Sequence, residues 1–251
     1  ANGTAVGGLA LDANTTGADN TAVGKSSLSA NTTASQNTAV GVRSMEDTTT
    51  GADNTAIGWG SLTDNTTGSN NTALGRSALA ANSTADNNVA VGYHALVSNT
   101  TGTRNTSVGA FALDAATEAD SNVAVGIAAL TSATTGGTNV AVGDQALSAV
   151  TTATSNTAVG HNALLNNTGG NNTAFGAFAL DANTSGEENT GVGDGALGSN
   201  TTGDLNVAVG ARCLLTATTA NNNTAVGYEA LELLTTGAQN VAVGTLAADA
   251  L

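Results

Sequence analysis

The chain has 251 residues, with 19 acidic against 5 basic side chains and a formal net charge of −14, so it lacks the basic stripe that a nucleic-acid binder needs. Proline is absent and glycine, at 32 residues, is not placed at every third position, which excludes collagen. No apolar run is long enough to cross a membrane as a helix, and the single cysteine offers no disulfide framework.

A repeat runs through the whole sequence. NTAVG at 20–24 returns as NTAVG at 37–41. The glycine that closes each such block falls at Gly7, Gly24, Gly41, Gly58, Gly75, Gly92, Gly109, Gly126, Gly143, Gly160, Gly176, Gly193, Gly210, Gly227 and Gly244. Every interval is 17 residues except the one from Gly160 to Gly176, which is 16. Residues 1–251 therefore read as one array of fifteen copies, with a single residue deleted in the copy spanning 161–176. In such an array a unit completes its core only against its neighbours.

Each copy opens with a strand that starts on Asn. Its fourth position is apolar throughout, Val in most copies and Ile57, Leu74 or Phe175 in others. Two residues earlier stands Thr or Val, as in Thr21, Thr38, Val89 and Val123. Alternation places these two positions on one face, which is expected to point inward, with Asn20, Ala22 and Gly24 on the other. Three residues after the corner glycine comes a small residue, once Cys213, and then Leu, replaced only by Met45 and Ala248. A turn of the NTTG kind closes the unit. Thr, Val, Asn and Gly are poor helix formers, and no helical stripe persists. The period predicts an all-β fold, a β-solenoid of about fifteen 17-residue coils, each with two or three short strands joined by tight corners. Coils about 4.8 Å apart would give a rod roughly 70 Å long. Stacking sets like on like, so Asn20, Asn37, Asn54, Asn71, Asn88, Asn105 and Asn122 are expected to form an amide ladder. Gly24, Gly41, Gly58, Gly75 and Gly92 each need a positive φ or a close backbone approach.

The blocks NTAVG, NVAVG (88–92) and NTAIG (54–58) resemble the strand motif of trimeric autotransporter adhesin heads, whose repeats are typically shorter. The longer NTALGRSALAANST (71–84) resembles repeat arrays of bacterial surface proteins and phage tail-fibre proteins. The resemblance covers the whole chain. It implies a left-handed β-roll and an extracellular structural fibre or adhesin module at a cell or virion surface.

The chemistry of the side chains points the same way. There is no GxSxG, P-loop or HExxH, and the serines have no histidine in repeat register, so neither catalysis nor a cofactor is expected. Asp19, Asp53, Asp86, Asp120, Glu187, Glu188 and Asp204 precede strands and are expected to keep the rod soluble, with calcium held between coils as the alternative. Asn14, Asn31, Asn65, Asn99 and Asn200 lie in Asn-x-Ser/Thr and are candidate glycosylation acceptors. The two positions after the corner glycine vary most and hold Trp59, Tyr93, Phe111, Phe178 and Tyr228, a candidate contact edge for glycan, partner or surface. The small residues of the strand's other face would let rods pack laterally. The array opens at ANGTAVG and stops in GTLAADAL, without initiator Met or signal peptide, which suggests end-to-end growth. The partners expected are further copies of the chain, in a filament or oligomeric rod, with neither nucleic acid nor membrane insertion. The alternative is an ice-binding β-solenoid, against which the expected inward Thr row counts.

Overall fold

The structure is a computed structural model and describes residues 2–249. It is an all-β solenoid of parallel strands in stacked coils about 17 residues apart. Fifteen three-residue strands recur once per repeat, from Thr4–Val6 (β1) and Thr21–Val23 (β2) to Val241–Val243 (β15), numbered in chain order. Two compact units, Ala1–Ala124 and Val125–Leu251, divide the chain. In the first, β1 to β7 (Thr106–Val108) pair in parallel, in chain order and in register, Thr4 on Thr21 and Val6 on Val23. In the second, β9 (Val140–Val142) to β15 do the same.

Only one strand per coil forms among the described residues, not two or three; the rest of each coil is turn and bend. The coil is closed by left-handed backbone at non-glycine residues. Ser26, Leu28 and Gln36 have φ of 57°, 50° and 62°, and their equivalents repeat these values along the chain. Left-handed backbone is unfavourable for an L-residue by roughly 1–2 kcal/mol. It is held because each coil's amides bond to the next coil, as Leu28 N donates to Ser44 O at 3.0 Å and Ala30 N to Glu46 O at 3.0 Å.

The core is narrow. Each inner coil contributes a large buried side chain, Leu28, Met45, Leu62, Leu79 and so on, together with the strand's Ala, a small residue before the Leu, and Asn. The strand is therefore turned the opposite way from expectation. Ala22, Ala39 and Ala56 are wholly buried, whereas Val6 is 57% and Phe175 56% exposed. The reason is volume. At Gly191, which stands where other copies have Ala, an added methyl would already lie 3.1 Å from Ala196 O and 3.3 Å from Leu180 Cδ1. No valine fits there, so Thr/Val and Val face out.

The deletion is absorbed in a turn. Strands β10 (Thr157–Val159) and β11 (Thr173–Phe175) stay in register, Thr157 on Thr173 and Val159 on Phe175. The residue lost is one of the paired Thr of the closing turn. Asn167 Nδ2 then reaches Gly169 O two residues on, where Asn183 reaches Gly186 O three residues on.

Candidate functional site

The buried amides settle what the interior does. Asn37 N donates to Asn20 Oδ1 at 3.0 Å, Asn54 N to Asn37 Oδ1 at 2.9 Å and Asn71 N to Asn54 Oδ1 at 2.9 Å. Asn88, Asn105 and Asn122 continue the series. Each Nδ2 crosses the interior to a carbonyl, Asn37 to Gly51 O and Asn71 to Ala85 O. The ladder thus runs mainly from backbone N–H to side-chain oxygen, with amide-to-amide donation secondary, as from Asn105 Nδ2 to Asn88 Oδ1 at 3.2 Å.

The corner glycines meet both needs. Gly24 has φ +138°, and a Cβ on it would lie 2.3 Å from Gly41 O. Gly41, Gly58, Gly75 and Gly92 repeat this approach.

The glycosylation reading is overturned. Asn31, Asn65, Asn99 and Asn200 are wholly buried and Asn14 is half-buried. The nitrogen a glycan would occupy is engaged: Asn65 Nδ2 donates to Gly68 O at 3.0 Å and Asn99 Nδ2 to Gly102 O at 2.9 Å. These residues form a second amide file, Asn31 to Asn14, Asn82 to Asn65, Asn99 to Asn82 and Asn200 to Asn183. Composition hid this file, because Asn-Thr reads equally as a sequon and as a turn.

Three of the carboxylates before the strands have structural partners. Asp86 Oδ1 accepts from Ser69 N at 2.6 Å, Asp120 Oδ1 from Thr103 N at 2.6 Å, and Asp204 Oδ1 from Glu187 N at 2.8 Å. Ser35 and Ser69 serve the same backbone position in other coils. Among the described residues no three His, Cys, Asp or Glu side chains gather as a metal site. Cys213 is buried, its Sγ 3.2 Å from Ala225 O in the place where Ser44 Oγ meets Ala56 O, and burial pushes its thiol up to about 11. A thiol so raised is inert at neutral pH.

Two outer surfaces remain. One is the strand face, with Thr or Val in one file and Val, Ile57, Leu74 or Phe175 in the other. The second is the corner after the glycine. There Trp59, Tyr93, Phe111, Phe178 and Tyr228 are all exposed. In the first unit Arg76 lies 5.2 Å from the Trp59 ring centre and 5.9 Å from that of Tyr93. Tyr93 stacks on His94 at 4.1 Å and meets Phe111 edge-on at 5.3 Å. In the second unit His161 meets Phe178 edge-on at 5.3 Å and lies 3.8 Å from Asp144.

No protein-family model and no curated protein matches the chain.

Proposed function

We propose that this chain is a non-catalytic structural module of an extracellular fibre or adhesin, at a cell or virion surface, whose strand face docks against further copies of itself. The observation that carries the reading is the outward Thr/Val and Val files. All-parallel sheets are normally covered on both faces, yet here the coil covers one face and leaves the other bare, in the first unit a file of mostly Thr beside an apolar file in which Ile57 and Leu74 are 40% and 43% exposed. An apolar file left uncovered in this way marks an interaction surface. Its side chains recur at the coil spacing of about 4.8 Å, and a surface that interdigitates with such a file along many coils needs the same period. A second copy has it. The resemblance of NTAVG to trimeric autotransporter heads agrees with a rod of several chains.

The test is sedimentation across a broad concentration range, comparing the wild type with a Val40→Glu, Val91→Glu variant. The wild type is expected to associate and the variant to remain monomeric with unchanged circular dichroism. A wild type that stays monomeric at every concentration removes the reading.

One observation favours ice binding as a second reading. The Thr row that the sequence placed inside, Thr21, Thr38, Thr55 and Thr72, faces outward on a regular lattice, so the objection to that alternative falls. Thermal hysteresis of the pure protein decides it: a measurable freezing-point gap supports this second reading, and none removes it.

A further inference from the structure

We propose that the Trp59–Arg76–Tyr93 stack, with His94 and Phe111 beside it, is a binding platform for a linear polysaccharide whose pyranose rings lie along the coil axis of the first unit. This is a different surface from the strand face, and the proposal does not rest on docking between copies.

Four observations lead to it. The first is continuity. Trp59, Arg76 and Tyr93 hold the same position in three successive coils, and the guanidinium lies within cation–π range of both rings, at 5.2 and 5.9 Å. Tyr93 then passes the contact to His94 at 4.1 Å and Phe111 at 5.3 Å. The second is exposure. Trp59, Tyr93 and Phe111 stay 48%, 42% and 40% exposed within this stack, so their mutual contacts fix the rings and leave part of each open.

The third concerns Arg76. The ion pairs of the described residues engage Arg43 and Arg212, with Glu46, Glu229 and Glu232, and His161 with Asp144, and none engages Arg76. In a chain with 19 carboxylates, this guanidinium rests on ring faces and keeps its N–H fork for another acceptor. A planar fork beside flat rings suits a pyranose, which offers a C–H face to stack on and hydroxyls at its rim.

The fourth is shape. No pocket opens on the described residues, so a small ligand would have nothing to enclose it. A polymer lying along the surface gathers contact by length. Trp59 and Tyr93 stand two coils apart, about 10 Å, which is the length of two hexose units in an extended chain. The platform therefore repeats with its ligand. The net charge of −14 disfavours a nucleic acid, which would also stack on aromatics.

Trp59 is the only tryptophan, so its emission reports on the platform directly. The experiment titrates the whole chain with cellohexaose, chitohexaose and a hexagalacturonate, following Trp59 fluorescence. A saturable blue shift is expected with at least one hexamer. Tyr93→Ala and Arg76→Ala should each weaken that binding by about tenfold, the size of one good aromatic or cation–π contact. Leu205→Ala, on another exposed position of the second unit, should leave it unchanged. Circular dichroism of every variant should match the wild type, since all these side chains are exposed. No shift with any of the three hexamers overturns the proposal, as does a shift that persists in both variants. A concentration-dependent Trp59 shift without sugar, lost in Tyr93→Ala, would assign the stack to a second copy of the chain and overturn it too.

Discussion

The second amide file breaks at Thr48, and that break is a place where a substitution should strengthen the fold. Asn31 Nδ2 donates to Asn14 Oδ1 at 2.7 Å and to Ala34 O at 3.2 Å, but Asn31 Oδ1 is buried without a donor. The next coil carries Thr48 in place of Asn, and the Thr48 hydroxyl is itself buried and unpaired. One coil further, Asn65 bonds to Gly68 O at 3.0 Å. The same fault ends the file at Asn99 and Asn200, where the following coils have Ala116 and Ala217. Thr48→Asn keeps the side-chain volume nearly constant. It would donate to Asn31 Oδ1 and to Gly51 O and accept from Asn65 Nδ2, joining two files into one. Each orphaned buried polar group is unfavourable by about 1–3 kcal/mol, and two are removed. Allowing for the entropy of fixing the amide, we expect a gain of about 2 kcal/mol. With an m-value of about 2 kcal/mol/M in urea, the midpoint of the transition should rise by about 1 M. Thr48→Val is the control, since it removes the idle hydroxyl and leaves Asn31 Oδ1 alone. It should recover about half as much. If Thr48→Val matches or exceeds Thr48→Asn, or Thr48→Asn lowers the midpoint, amide continuity is not what stabilises this file.

Three further outcomes follow from the geometry. Gly58→Ala would set a methyl 2.4 Å from Gly75 O at φ +140°, and should cost about 3 kcal/mol or more, read as a lowered melting temperature. Ala90→Val and Val91→Ala test the strand's orientation: the buried change should destabilise by about 1–3 kcal/mol, whereas the outward one should stay within about 0.5 kcal/mol in a dissociated sample; equal effects in urea melts would show the orientation to be wrong. Burial raises the Asp181 carboxyl above its ordinary value of 3.8, while its own N–H and that of Ala182 lower it. An acid raised on folding opposes stability above its folded pKa and does so no longer below the unfolded value. Asp181→Asn should therefore raise the urea midpoint at neutral pH and leave it unchanged below pH 3.8; a gain that is the same at both would refute the assignment.

Much of the architecture was legible because it rests on repetition. The glycine interval gave the coil, and the near-invariance of Asn20, Asn37 and Asn54 marked a file of stacked side chains. Hydrophobicity alone gives the wrong sense for the strand, because side-chain size decides which face is inside. The third strand position is Ala, Ser107 or Gly191 in every copy, and the fourth runs from Val to Phe. A position held to the smallest residues is the crowded one. The second amide file was hidden differently, since Asn65 in an Asn-Thr-Thr-Gly turn reads as surface until its burial is seen. Leu at left-handed φ, as at Leu28 and Leu62, left no residue-type signal, because that conformation is normally glycine's or asparagine's.

The number of coils, the in-register stacking of like residues and the glycine corners follow from the amino-acid order alone, because a constant period with constant residues can close its hydrogen bonds only on itself. Which face is inside, which amides are buried and which aromatics touch were decided by the folded coil. Its interior holds one leucine, a few methyls and paired amides, and that volume is a property of the turns around it.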